Sequence, residues 1–277
     1  KRLEEFEALI ARTHQQGMKV LIDIVPNHVA RHYEGKNNPE GVREFGADDD
    51  LTVEYKRDNN FYYIPGKTFQ VPEPLNDYKP LGGENHPLAD GKFEENPAKW
   101  TGNGSREAQP YFHDWYETVK INYGIKPDGT KDFPELPVQF REEEYQAHYE
   151  FWQDKDVPDS WKKFRDIALY WTKKGVDGFR FDMAEMVPVE FWAYAIPKVK
   201  AINPEVVFIA EIYNPAEYRN YIFKGGFDYL YDKVGLYDGI RHIMEKKAGA
   251  TTADITRVWQ NESGEFANHM LRFLENH

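Results

Sequence analysis

The sequence predicts an α/β fold on a parallel sheet, read as an incomplete (β/α)8 (TIM) barrel with about strands 3 to 7 present and an irregular subdomain inserted after strand 3. Two observations carry this reading. Apolar, β-branched runs alternate with helical stretches, which is the pattern of βαβ units. Polar side chains also collect at strand ends: Asp23/Asn27/His28, Arg180/Asp182, Glu211 and Glu275/His277 each fall at or just past the C-terminal end of a different strand. A barrel gathers its reactive groups in that way. An open doubly wound sheet would use one switch point beside a glycine-rich turn. No such turn follows a strand, and Gly102-Asn103-Gly104 lacks strand context.

The elements follow in order. Residues 1–16 place Leu3, Phe6, Leu9 and Ile10 at helical spacing, and Gly17 suits the helix end. Residues 18–25 read as a buried strand that runs into Pro26-Asn27-His28. The rhythm then stops until about residue 159. Pro, Gly, Asn and aromatic clusters such as Phe61-Tyr62-Tyr63 and Tyr111-Phe112-His113-Asp114-Trp115-Tyr116 take over. A βα connection this long is an inserted subdomain or a lid. The expected domains are therefore 1–28 (barrel helix 2 and strand 3), 29–158 (insertion) and 159–277 (barrel helix 3 to strand 7). Asp48-Asp49-Asp50 reads as a solvated loop.

Trp161, Phe164, Ala168 and Trp171 then form a helical stripe closed by Gly175, and residues 176–182 form the next strand. Residues 188–201 are helix-like, and Pro197 should kink or shorten that helix. Residues 206–211 make a third strand, and 227–230 and 270–274 are shorter ones. Helical stretches lie near 216–223 and 238–247.

Composition excludes several classes. The chain has 277 residues with 47 acidic and 35 basic side chains, a formal charge of −12. That disfavours non-specific binding to nucleic acid or anionic lipid. Aromatics at 16% and hydrophobic residues at 40% are far from a disordered composition. With no cysteine there is no disulfide framework, thiolate nucleophile or Cys-based zinc site. No apolar run approaches the ~18 residues of a membrane span. The chain opens at Lys1 inside a helical stretch. It therefore reads as an excerpt, expected to be unstable and inactive alone, and its location and oligomeric state stay open.

Asp182 and Glu211, 211 − 182 = 29 residues apart, end consecutive strands. Neighbouring strands lie about 4.8 Å apart, so the two carboxylates can face each other across about 5 Å. That gap suits retaining glycoside hydrolysis, in which one carboxylate attacks the anomeric carbon and the other protonates the leaving oxygen. Arg180 sits two residues before Asp182, on the same side of the strand. It would keep Asp182 ionised, which makes Asp182 the nucleophile. Glu211 has no cation beside it in the sequence and follows an apolar run, which suits a raised pKa and the acid/base role. This chemistry requires no cofactor. Singly, a strand-end carboxylate is a cap or surface group and an Arg-x-Asp is a structural ion pair. Two carboxylates, an arginine and two histidines at successive strand ends argue for function.

These residues resemble the four short motifs of the α-amylase family of glycoside hydrolases (family 13). Asp23-Ile24-Val25-Pro26-Asn27-His28 is similar to the first and Gly178-Phe179-Arg180-Phe181-Asp182 to the second. Phe208-Ile209-Ala210-Glu211 is similar to the third and Phe273-Leu274-Glu275-Asn276-His277 to the fourth. The long insertion resembles the family's domain B. The resemblance implies that Asp182 is the nucleophile, Glu211 the acid/base and Arg180 the group that holds the nucleophile. It implies that His28 and His277 bind hydroxyls of an oligo- or polysaccharide, that Asp23 supports Arg180, and that Asn27 ligates a structural calcium.

Two features depart from the family pattern. The family's third carboxylate would directly follow His277, where the sequence ends. Met183-Ala184-Glu185-Met186 also stands where many members carry Lys-His, which puts calcium in doubt. The leading expectation is a retaining hydrolase of starch-like α-glucans. The rivals are a transglycosidase on the same residues, a catalytically silent carbohydrate-binding relative, and an unrelated barrel enzyme with a divalent metal. Asn103-Gly104-Ser105 and Asn261-Glu262-Ser263 match the glycosylation pattern without further support.

Overall fold

The structure is a computed structural model that describes residues 1–35, 38–73, 75 and 93–275. The chain forms two compact units. One comprises Lys1–Pro26, Pro134–Val157 and Trp161–His277; the other comprises Asn27–Phe133 and Pro158–Ser160.

The first unit opens with α1 (Arg2–Gln15) and β1 (Leu21–Ile24). The second contributes β2 (His28–Ala30), β3 (Tyr63–Ile64), β4 (Ala98–Lys99) and β5 (Thr118–Lys120). The chain continues through α2 (Tyr145–Trp152), α3 (Asp159–Lys173), β6 (Gly178–Phe181), α4 (Val189–Lys200), β7 (Val207–Ala210) and β8 (Tyr229–Tyr231). It ends with α5 (Asp238–Met244), α6 (Thr252–Arg257) and β9 (Met270–Leu271).

β1, β6, β7, β8 and β9 form one parallel sheet in that order. Spatial order follows chain order without reversal. The sheet therefore lacks the switch point of a doubly wound fold. The register sets Asp23 beside Arg180 and Arg180 beside Ile209.

Glycines end the flanking helices, as their positions predict. Gly17 and Gly175 take φ values of +71° and +92°, the left-handed conformation that turns the chain out of a helix at little cost. Phe6 of α1 meets Trp171 of α3 edge-on at 5.5 Å. Beyond the turns, the His14 ring and the Val20 N–H both bind Asp177 Oδ2, at 2.8 and 2.7 Å.

The pleat of β6 separates two functions. Phe179 and Phe181 are buried, and Phe181 packs on Trp192 of α4 at 4.7 Å and parallel to Phe208 at 6.2 Å. Arg180 and Asp182 leave the opposite face. Trp192 is 1% exposed and also packs against Phe191 and Phe227, both at 4.8 Å. Trp192→Ala is expected to cost about 3–5 kcal/mol, because a cavity remains where the indole was. Urea unfolding of the full-length protein measures it.

Three expectations need correction. Pro197 does not shorten α4, which continues to Lys200. Its missing N–H removes one helix hydrogen bond, and burial of every residue from Val189 to Pro197 offsets that loss. Helix α2, assigned to the insertion, instead joins the first unit. Its Trp152 packs on Trp161 of α3 at 5.7 Å and on Tyr194 of α4 at 6.1 Å. The last strand stops at Leu271, and Leu274 is exposed. Residues 215–224 are helical throughout, as expected, passing from a 3₁₀ turn (Pro215–Glu217) to a π turn (Asn220–Lys224).

The second unit contains two antiparallel pairs, β2 with β5 and β3 with β4. Its acidic run is not simply solvated. Asp49 turns inward and accepts from the N–H groups of Asn60 (2.7 Å) and Phe61 (3.0 Å) and from the Tyr63 hydroxyl (2.9 Å). Burial raises its pKa despite those bonds. Among the described residues, no helix is long and apolar enough to cross a membrane.

Candidate active site

The parallel ladder extends one residue past β6 and β7. Asp182 N–H donates to Ile24 O at 3.0 Å, and Glu211 N–H donates to Phe181 O at 3.1 Å. Both carboxylates therefore leave the sheet at its last hydrogen bonds, on neighbouring strands.

Arg180 joins them. Its side chain is 12% exposed. Nη1 donates to Asp182 Oδ1 at 3.0 Å and to Asp23 Oδ2 at 3.0 Å, and Nε donates to the Tyr231 hydroxyl at 3.0 Å. Nη2 lies 3.2 Å from Glu211 Oε2, an ion-pair distance without hydrogen-bond alignment. Burial works against the guanidinium charge, but Tyr231 and Asp182 overcome it and lift the pKa above the ordinary arginine value. The cation is permanent at any working pH.

Glu211 is 4% exposed. Its Oε2 accepts from the Met183 N–H at 2.8 Å, and its Oε1 accepts from the Tyr213 hydroxyl. Burial, then the neighbouring Glu211, raises the Tyr213 pKa, which keeps that hydroxyl a donor. The expectation that Glu211 lacks a cation is corrected, because Arg180 reaches it from the adjacent strand. Met183 supplies its N–H from φ +45°, a left-handed conformation that costs a non-glycine residue about 1 kcal/mol or more. Glu185 returns the connection: its Oε2 accepts from the N–H groups of Tyr213 (2.8 Å) and Asn214 (3.2 Å). The segments after β6 and β7 are thus tied in both directions.

Asp23 is the outlying member, with its side chain 57% exposed. Desolvation raises its pKa, Arg180 opposes this, and Asp182 and Glu211 add to it. A carboxyl whose folded pKa exceeds the ordinary 3.8 loses stabilisation as pH rises from that value through the folded pKa. The full penalty is present at neutral pH. Asp23→Asn is therefore expected to raise the melting temperature at neutral pH and to lose that gain as pH falls towards 3.8. Melting curves across pH measure both.

Asn27 and His28 lie in the second unit. Asn27 is buried, and its Oδ1 accepts from Lys120 Nζ at 2.8 Å. Its Nδ2 donates to Gly102 O at 2.9 Å and lies 3.2 Å from His28 Nδ1. Burial pulls the Lys120 ammonium down to about 8. The Trp115 ring meets His28 at 5.3 Å, and a pocket of about 420 Å³ opens there, lined by Phe112, Asp114, Trp115 and Glu117. These residues do not fit calcium, because the Asn27 oxygen already faces a cation. Among the described residues, no group of three His, Cys, Asp or Glu side chains could hold a metal ion.

The structure thus brings together Asp23, Arg180, Asp182 and Glu211, and separately Asn27 with His28. His277 lies outside the described residues. Sequence reasoning missed Tyr213, Tyr231, Met183 and Lys120. Tyr213 stands two residues after Glu211 and Tyr231 ends a strand, so both carried a positional signal.

The α-amylase catalytic-domain family matches residues 2–222. The chain belongs to the α-amylase family. It is 30% identical over 167 residues to an alpha-1,4-glucan:maltose-1-phosphate maltosyltransferase of Cereibacter sphaeroides, covering 55% of this chain and 28% of that protein. It is 28% identical over 119 residues to the enzyme of the same name from Pseudomonas aeruginosa, covering 43% and 18%. The matched stretch thus spans under a third of these curated relatives.

In fold it is similar to the cyclic alpha-maltosyl-(1→6)-maltose hydrolase of Arthrobacter globiformis, with TM-score 0.55 and 16% identity over 99% of this chain and 45% of that one. It is also similar to the debranching enzyme of Nostoc punctiforme, with TM-score 0.54 and 20% identity over 99% and 47%.

Proposed function

We propose that this chain carries the reacting centre of a retaining enzyme acting on α-glucosidic bonds of starch-like α-glucans. On this reading the parallel sheet is part of a (β/α)8 barrel, and the second compact unit corresponds to the inserted subdomain. The observation that carries the reading is the single guanidinium shared by Asp182 and Glu211 at neighbouring strand ends.

Asp182 Oδ attacks the anomeric carbon as the glycosidic bond breaks, and the electron pair leaves on the glycosidic oxygen. The Glu211 carboxyl delivers its proton to that oxygen. A covalent glycosyl-enzyme results, with the anomeric centre inverted once. Glu211, now a carboxylate, takes a proton from water, and the hydroxyl oxygen displaces Asp182 with a second inversion. Arg180 holds the nucleophile in place, and Tyr213 and the Met183 N–H orient Glu211.

A second reading replaces water by a sugar hydroxyl or another acceptor. The curated relatives, named maltosyltransferases, favour it. Full-length protein incubated with maltoheptaose and followed by proton NMR from the first minutes tests both. New α-anomeric reducing ends with shorter chains support a retaining hydrolase. Longer chains without net reducing ends support transfer. Products of β configuration overturn the retaining mechanism. No reaction from folded protein overturns the α-glucan assignment.

A further inference from the structure

We propose that Lys120 is a positioning residue that fixes the tautomer of His28, its ammonium standing where the resemblance puts a calcium ion. β2 and β5 pair with His28 directly opposite Lys120. Directly opposed residues carry their side chains on the same face. Lys120 Nζ reaches back to Asn27, the residue before His28, and donates to its Oδ1 at 2.8 Å.

An ammonium has three donors and no acceptor. Only the oxygen end of the Asn27 amide can face it, so the amide cannot flip. Nδ2 must then turn to Gly102 O and to His28 Nδ1. An amide NH2 only donates, so Nδ1 accepts. Neutral His28 therefore carries its proton on Nε2. That N–H is the donor a sugar hydroxyl would meet, a clause that rests on the α-glucan reading above.

Gly102 fits the same device. A Cβ there would lie 2.2 Å from Thr118 Oγ1 and 3.1 Å from His28 Cβ, so only glycine brings its carbonyl this close to Asn27. The cation that organises this loop is covalently part of the chain. Binding calcium would set a divalent ion against an ammonium that shares its one amide ligand.

Nitrogen-15 NMR of the full-length protein, labelled at histidine and held near neutral pH, tests the proposal. The His28 signals are assigned by their loss in His28→Gln. Wild-type His28 is expected to carry a protonated Nε2 and a bare Nδ1. Asn27→Asp replaces the donor by an acceptor while leaving Lys120 a partner, and is expected to move the proton to Nδ1. Lys120→Met is expected to give a mixture of tautomers. The wild-type melting temperature is expected to stay unchanged with EDTA or millimolar calcium.

A wild-type proton on Nδ1 overturns the proposal, as does an unchanged tautomer in Asn27→Asp or a melting temperature raised by calcium. If Lys120→Met fails to fold by circular dichroism, the wild type and Asn27→Asp decide. These readouts do not depend on turnover. Inactive protein with the expected tautomer would count against the α-glucan reading and leave this one standing.

Discussion

On the proposed mechanism, Asp182→Asn lowers kcat of the full-length protein on maltooligosaccharides by about four orders of magnitude or more. An amide is isosteric with the carboxylate and can still accept from Arg180 Nη1, so the 3.0 Å contact and the fold survive. The lost property is nucleophilicity alone. The variant should melt at or above the wild-type temperature, because one of the three carboxylates around Arg180 has lost its charge. Initial rates with circular dichroism on the same sample check both statements. Full activity in folded Asp182→Asn would remove Asp182 from the nucleophile's role.

Glu211→Gln separates the two halves of the reaction. Gln keeps one carbonyl oxygen to accept from the Met183 N–H, and its NH2 can donate to the Tyr213 hydroxyl oxygen, where Glu211 accepts at both of its oxygens. It cannot deliver a proton. Cleavage of a maltooligosaccharide, whose leaving alkoxide needs that proton, is expected to fall by about 10²–10⁴-fold. An α-glucosyl fluoride leaves without it, so formation of the glycosyl-enzyme should be nearly unaffected and breakdown should become rate-limiting. Pre-steady-state release of fluoride would show a burst. Equal losses on the two substrates would argue that Glu211 only orients the substrate.

The parts of this site that are legible in the sequence are those set by period-two alternation along a strand. Phe179 and Phe181 against Arg180 and Asp182 is such a pattern. A carboxylate at the end of an apolar run announces itself for the same reason. Contacts across strands are not legible in this way. Nothing near Glu211 in the chain points to Arg180, because register on β6 and β7 makes that contact. Lys120 lies 120 − 27 = 93 residues from Asn27, and pairing in a three-residue ladder joins them. Met183 shows no turn signal, since its left-handed backbone is imposed by the groups it serves. Helix α2 was misplaced because aromatic residues read alike in a loop-rich insertion and in a helix docked on α4.

The shared guanidinium has an electrostatic consequence. On the proposed mechanism Glu211 enters protonated, so Asp23 and Asp182 set two carboxylates against one positive Arg180, a balance of 1 − 2 = −1 when both are ionised. Such a cluster is under-neutralised at rest and gains most when a positive charge arrives. Glycoside cleavage generates one, on the ring oxygen and anomeric carbon, at the summit of the barrier. The ground-state sugar is neutral and draws little from the imbalance. Affinity for sugar-shaped compounds should therefore rank by charge, with ring-nitrogen cations above neutral sugars and anionic sugars last.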